Sequence, residues 1–310
     1  MCKYSIIVPA YNEEKSLQLF YDAVTPVFEN LGEEYEMIFV NDGSRDATKE
    51  IINRLASEDK RVKGCHFSRN FGQQAALLCG LKKAQGQAVI AMDADLQDPP
   101  SVAAELIEKW KEGYDIVHAV RREREGESFF KKATAKLFYK ITKKITGIKL
   151  TQNSGDFKLY DRKVVDTIIA LAEKERVLRV QAAWVGFSQT CVEFDRPSRV
   201  AGETHYTLKK MIGLAKAGIL PNTDYTLTFP LKLGIALGVL SLACFITFII
   251  LACTGVGFGG LTAWLFPTVG ALTAILLVCQ GLANMHTAMI FKEVQNRPIY
   301  IVAEEVNFKE

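Results

Sequence analysis

The sequence has no Asp, Glu, Lys or Arg between Lys232 and Lys292. An uncharged stretch of that length is hard to bury in a water-soluble protein, which excludes an ordinary soluble chain and points to membrane-spanning segments. The sequence also has no CxxC pair. Its cysteines (Cys2, Cys65, Cys79, Cys191, Cys244, Cys253 and Cys279) are odd in number and irregularly spaced. That speaks against a disulfide framework and a cysteine zinc site, and fits a reducing compartment. Before the uncharged stretch there is neither a GxGxxG fingerprint nor a Walker loop, so any phosphates must be handled by a metal and basic side chains rather than a glycine cradle. No signal peptide is visible: Met1-Cys2-Lys3-Tyr4-Ser5 runs straight into a strand-like segment, and the water-soluble part is expected on the cytoplasmic side. Internal repeats and low-complexity linkers are missing as well.

What is present is ordinary globular material. The chain has 310 residues, 49% hydrophobic and 24% charged, with room for one large domain or two ordinary ones. The formal charge of +3 belongs wholly to residues before Phe229, because Lys232, Lys292, Arg297 and Lys309 cancel Glu293, Glu304, Glu305 and Glu310.

Short apolar runs alternate with helical patterns. Strands are expected at Ser5–Val8, Glu36–Val40, Val62–Phe67, Ala88–Met92 and Asp115–Val120. Helices are expected from about Glu13 to Asn30, from an Asp46 cap to Ala56, from Phe71 to Ala84, and from Pro99-Pro100 to Lys111. Strands apolar throughout, alternating with helices, imply an α/β, Rossmann-like domain with a mostly parallel sheet covered on both faces. Ligands then bind at the carboxyl ends of the strands.

From Phe129 to Lys149, apolar residues recur at helical spacing and seven lysines fill the other faces without an acid. This reads either as a solvated basic helix packed on the domain or as an amphipathic helix on an anionic membrane surface, and the downstream apolar segment favours the second. Leu233–Cys253 and roughly Leu261–Ile290 are expected to cross a bilayer as a two-helix hairpin, joined by a glycine-rich turn. Lys209, Lys210, Lys216 and Lys232 before it, with Lys292 and Arg297 after it, place both termini in the cytoplasm by the positive-inside rule. The expected organisation is a catalytic domain over 1–206, a juxtamembrane helix over 207–228, the spans over 229–290, and a tail over 291–310. The tail carries a strand-like Ile299–Val302 that could pair with the sheet or with another chain.

Polar clusters fall where strands should end. In Met92-Asp93-Ala94-Asp95-Leu96-Gln97-Asp98, Asp93 and Asp95 at the end of a strand would share one face and could hold a hard divalent cation, or simply form a polar strand end before a helix cap. Pro9-Ala10-Tyr11-Asn12-Glu13 ends the first strand and Asn41-Asp42-Gly43-Ser44 the second. Tyr11 could cover a base, and Asp42 could accept from a base N–H or be a turn residue before Gly43. Asp156 precedes an apolar strand pattern, where it could act as a base or cap a turn. Arg196, Arg199, Gly202, Thr204, His205 and Tyr206 combine arginines with hydroxyls, which suits a phosphate or a basic membrane-facing loop. His66, His118 and His286 have no partner spacing and read as structural.

In this order the clusters resemble the inverting family 2 glycosyltransferases of GT-A fold, and within them the polyprenyl-phosphate glycosyltransferases (dolichol-phosphate mannose synthases and bactoprenol glucosyltransferases). The matching stretches are Val8–Glu13, Val40–Ser44, Arg69–Gly72, Asp93–Pro100, Gly155–Phe157, Arg199–Tyr206 and the apolar tail ending near Asn296-Arg297-Pro298. The resemblance implies that Pro9, Tyr11, Glu13 and Asp42 hold base and ribose, and that Asp93, Asp95 and Gln97 bind or surround metal and diphosphate. It further implies Asp156 as catalytic base, and Arg199 with its neighbours Arg196, Thr204 and His205 at phosphate groups. His205 stands where the family usually has lysine, giving a weaker, pH-dependent cation. Asn284-Met285-His286 replaces the family's Gly-Glu-Tyr. The Gln-x-x-Arg-Trp signature of processive synthases is missing, which argues for one sugar per turnover.

The resulting expectation is a multi-pass transferase of the cell (inner) membrane. It would use Mg²⁺ or Mn²⁺ and a nucleotide sugar, UDP-glucose foremost, to glycosylate a polyprenyl (undecaprenyl) phosphate. GDP-mannose or a UDP-N-acetylhexosamine are the alternative donors, and a non-catalytic scaffold or lipid-flipping partner is the rival reading. No nucleic-acid partner is expected, and homo-oligomerisation is left open.

Overall fold

The computed structural model describes residues 2–122, 143, 147–148, 150–174, 177–195, 229–230, 232–237, 239, 243 and 261–308. They fall into two compact units, Met1–Gly218 with Pro298–Glu310, and Ile219–Arg297.

In the first unit, strands and helices alternate as the apolar runs require: β1 (Tyr4–Ala10), α1 (Leu17–Asn30), β2 (Tyr35–Asn41), α2 (Thr48–Glu58), β3 (Val62–Phe67), α3 (Gln73–Lys83), β4 (Ala88–Ala91), α4 (Pro100–Lys111) and β5 (Ile116–Arg121). Then follow β6 (Ser154–Asp161), α5 (Arg162–Ala170), α6 (Leu178–Trp184) and β7 (Gln189–Phe194); the tail adds β8 (Val302–Val306). The strands form one sheet in the order β7-β5-β6-β4-β1-β2-β3-β8. β1 pairs parallel with β2 and β4, β2 with β3, and β5 with β7. β6 is antiparallel to both β4 and β5, and β8 is antiparallel to β3. The sheet is therefore mixed and mostly parallel.

Both faces are covered. Successive side chains on a strand point to opposite faces. Ile6, Val8, Met37 and Phe39 accordingly pack with Leu17, Phe20, Phe28 and Leu106 on one side. Ile7, Ile38 and Val40 pack with Ala76, Cys79, Leu81, Val164 and Ile168 on the other. This is why the strands read as unbroken apolar runs rather than alternating ones. Pro9 lies within β1, not after it. Gly80 is required by close approach, since a Cβ there would meet Ile7 Cβ at 2.8 Å.

The tail pairs with its own sheet. β8 begins at Val302, where the expected strand would have ended, because Ile299 and Tyr300 are drawn into the core instead. Tyr300 stacks on Phe67 with ring centroids 4.9 Å apart. Lys49 and Lys83 meet Glu304 and Glu305 at 2.6 and 2.7 Å. Asn307 Nδ2 donates to the carbonyls of Ala56 and Val62.

In the second unit, α7 runs from Leu261 to Gln295. Its segment Ala271–Gln295 is long and apolar enough to cross a membrane, with a mean hydropathy of 1.5 and none of it buried. Among the described residues it is the one such helix, so the expected pair of spans is not found there. The expected first span lies largely outside the described residues, as do most of the basic helix and the Arg196–Tyr206 loop.

Candidate active site

The strand order reverses at β1 and β4, whose chain connections leave to opposite sides of the sheet. In an open α/β sheet the crevice beyond the carboxyl ends at such a point is where ligands bind. The loops after β1, β2 and β4 all open onto that edge. β6 brings its amino end there, because it runs antiparallel between β4 and β5. Ala91, the last residue of β4, pairs with Lys158, so the loop carrying Asp93 leaves the sheet at the edge where Asp156 enters it, close enough for the two carboxyls to act on each other.

The loop backbones are held in uncommon conformations. Asn12, Leu96 and Asn153 have φ of 56°, 57° and 54°, and Gly43 and Gly72 have 67° and 100°. Left-handed backbone at non-glycine residues costs energy and clusters at functional sites. Gly43 has a second constraint, since a Cβ there would lie 2.4 Å from the Arg69 carbonyl carbon.

That approach is held by Asp42. Its Oδ1 accepts from Phe71 N at 2.6 Å and its Oδ2 from Gly72 N at 2.8 Å, where α3 begins. Burial raises the Asp42 carboxyl above its ordinary range, against the lowering effect of those two N–H groups and Arg69. Asp42 thus clamps β2 to the start of α3. Pro9 and Tyr11 stand at the mouth of the crevice, with Tyr11 38% exposed. Glu13 is turned into the start of α1: its N–H donates to Thr48 Oγ1 at 2.8 Å and its Oε2 accepts from Ser16 Oγ at 2.5 Å.

The acidic loop contains a correction. β4 ends at Ala91, so Asp93 and Asp95 stand in the loop beyond it and not on one strand face. Asp98 Oδ2 accepts from Asp93 N, and Asp95 Oδ1 accepts from Gln97 N. Asp93 Oδ1 accepts from Gln73 Nε2 at 3.0 Å. Desolvation pushes Asp93 well above the usual carboxylate range, reinforced by Asp98, Asp156 and Asp95 and opposed by Arg121.

Asp156 is buried and engaged on both oxygens. Oδ1 is 3.2 Å from Arg179 Nη2 and Oδ2 is 3.1 Å from Gln74 Nε2. Gln74 Oε1 also accepts from Leu178 N at 2.8 Å, fixing the start of α6. Beneath lies Lys158, fully buried, whose Nζ donates to the Gly155 carbonyl. Burial lowers its pKa to about 8, offset by Asp156 and Asp98.

Gln73, Gln74, Asp98, Arg121, Lys158 and Arg179 were not among the expected site residues. The i, i+2 spacing from Asp156 was a signal for one of them, Lys158, since it puts both on one strand face. His66 and His118 are buried and hydrogen-bonded: His66 lies 3.1 Å from Asn41 Nδ2 and 2.9 Å from Asn53 Oδ1, and His118 lies 2.9 Å from Gln189 Oε1.

A divalent ion fits this edge. Among the described residues no three His, Cys, Asp or Glu side chains are arranged to hold a metal by themselves. Two crowded carboxylates, Asp93 and Asp95, suit an ion that takes its remaining ligands from substrate phosphates and water, as Mg²⁺ does.

Comparisons with known proteins agree with this geometry. Residues 5–169 match Glycosyl transferase family 2. An uncharacterized glycosyltransferase of Bacillus subtilis (strain 168) is 44% identical over 97% of this chain and 93% of its own. A prophage bactoprenol glucosyl transferase homolog of Escherichia coli (strain K12) is 37% identical over 97% of this chain and 98% of its own. The bactoprenol glucosyl transferase of Shigella phage SfV is 38% identical over 98% and 99%. The family match takes in every strand that builds the crevice, β1 to β6, and the relatives extend it over nearly the whole length, so the chain belongs to glycosyltransferase family 2.

Proposed function

We propose that the protein transfers one sugar, glucose from UDP-glucose, to a polyprenyl phosphate at the cytoplasmic face of a membrane, with inversion at the anomeric carbon. The observation that carries this reading is the β4–β6 pairing, which brings the Asp93 loop and Asp156 to one edge of the sheet at the switch-point crevice. The choice of lipid and sugar follows the names of the full-length relatives from Escherichia coli and phage SfV. The membrane setting is supported by the exposed apolar side chains of α7, including Leu276, Leu277 and Val294. Thr273, His286 and Thr287 of that helix bond to carbonyls one turn back, which suits lipid surroundings. The rest of this reading is a two-helix hairpin, with a basic helix and a late loop carrying Arg196, Arg199, Thr204 and His205 toward the lipid phosphate.

Asp93 and Asp95, with Gln97 beside them, would hold Mg²⁺ or Mn²⁺ together with the donor diphosphate. A bound ion supplies neutralisation of the charge that builds on the leaving group. In this reading Pro9, Tyr11 and Asp42 line the base and ribose end. Glu13 fixes the loop that carries Tyr11. An acceptor phosphate oxygen attacks the anomeric carbon from the face opposite the diphosphate. The new C–O bond forms as the old one breaks, and its electron pair leaves with the nucleoside diphosphate. A phosphate monoester has a second pKa of about 6 and is mostly dianionic at neutral pH. Asp156 therefore has little proton to take, and it positions the nucleophile instead.

The test uses purified protein in detergent with Mn²⁺, undecaprenyl phosphate and radiolabelled UDP-glucose, GDP-mannose and UDP-N-acetylglucosamine in parallel. Organic-extractable label from UDP-glucose alone, lost in Asp95→Asn, is the expected result. Label from another donor overturns the sugar assignment. No label from any donor, with metal-dependent nucleotide binding retained, overturns the transfer to polyprenyl phosphate.

A further inference from the structure

Within the proposed transfer reaction, Arg179 has no role yet. Arg179 stands in the first turn of α6, its side chain one-third exposed and its Nη2 3.2 Å from Asp156 Oδ1. Its placement is built from two sides. Gln74 bonds through Oε1 to Leu178 N, next to Arg179 in the chain, and through Nε2 to Asp156 Oδ2. One side chain thus fixes both the helix that carries the guanidinium and the carboxylate that aims it.

Electrostatics asks for such a group. A phosphate dianion approaching this edge meets Asp93, Asp95, Asp98 and Asp156. Lys158 is fully buried and bonded to a carbonyl, so it screens these acids without reaching a ligand. A carboxylate with both oxygens engaged is a poor base but a good anchor, and a guanidinium, unlike an ammonium, can meet its anchor and a phosphate oxygen through different nitrogens. We propose that Arg179 binds the acceptor phosphate and that Asp156, with Gln74, is the positioning residue that aims it. This inference rests on the transfer reaction above and names the residue that receives its nucleophile.

The experiment is steady-state kinetics on the full chain in detergent, varying undecaprenyl phosphate and UDP-glucose separately. The chains compared are wild type, Arg179→Gln and Arg179→Lys, with Mn²⁺-dependent UDP binding measured for each. The expected result for Arg179→Gln is an acceptor KM at least tenfold higher, with donor KM and UDP binding within twofold of wild type. Arg179→Lys keeps the charge but has a single nitrogen for both Asp156 and the phosphate, and should fall between them. A lowered kcat with unchanged acceptor KM in both variants would overturn the proposal and leave Arg179 as a counter-charge to Asp156. Loss of UDP binding in Arg179→Lys, the milder change, would overturn it in favour of a folding role. Failure of wild type itself to label the lipid would count against the transfer reaction, a result separable from either.

Discussion

Two ends of the same sheet bury acidic side chains, and they do so in opposite ways. At the amino ends of the parallel strands, Glu36 is matched on every side. Its Oε1 accepts from Ser5 Oγ at 2.5 Å and from Gln85 N at 2.6 Å, and its Oε2 meets Lys63 Nζ at 2.5 Å. Ser5 Oγ in turn accepts from Gly86 N at 2.7 Å. At the carboxyl ends, Asp93, Asp95, Asp98 and Asp156 crowd one another, and Asp93 is driven well above its ordinary range. A buried carboxylate saturated with donors serves the fold, whereas like charges held together mark a functional-site candidate. Asn12, Leu96 and Asn153 hold left-handed backbone at the crowded end, but Asn307 does so beside the amino end of β3, so the carboxylates and not the backbone set the two ends apart.

The comparison can be broken most sharply at Asp95. Asp95→Asn should lower lipid-linked product formation by about 10³-fold, the scale of losing a main electrostatic contribution. Its melting temperature should match wild type or rise, because a repulsion is removed. A melt that falls with activity would erase the distinction between the two ends.

Glu36→Ala is the reciprocal change. It strands Lys63 and leaves Ser5 and Gln85 N without their acceptor, so destabilisation of about 3–5 kcal/mol is expected. Turnover per folded molecule should hold. Denaturant melts read beside product assays would reveal any loss of activity beyond the loss of fold.

His118 tests the zone between. Burial first, then Lys158, lowers its pKa to about 4, with Gln189 opposing. An unfolded histidine titrates near 6.5. Between these values the unfolded chain binds the extra proton, so the stability is complete above about pH 6.5 and is lost as pH falls toward 4. The loss is about 3 kcal/mol at most, and His118→Gln should flatten that slope in melts taken from pH 7 to 4.

The smallest effect is expected at Asp156. If it aims a cation rather than removing a proton, Asp156→Asn should keep activity within about tenfold to a hundredfold of wild type, less than general base catalysis commonly contributes. A loss as large as that of Asp95→Asn would restore the base assignment.

Much of this architecture was legible in the chain. The unbroken apolar runs foretold β1 to β5 within a residue or two, because strands buried on both faces need no polar alternation. The loops after β1, β2 and β4 were legible as site loops, since their polar clusters follow directly on those runs. The pairing of β8 was not, because a five-residue segment carries no mark of its partner. Arg179 was missed because nothing local distinguishes an arginine on a short helix from a surface one.

By itself, the sequence determined which strands are buried, which loops are polar and that one long helix is too apolar for water. All three follow from the side chains of a single segment and their affinity for water. Only the tertiary structure decided that the Asp93 loop and Asp156 share one edge of the sheet, that Lys158 is sealed beneath them, and that Gln74 links Asp156 to α6. Each depends on β6 entering antiparallel between β4 and β5. That register is chosen by packing between segments far apart in the chain, where a shift of one residue would turn both Asp156 and Lys158 to the other face.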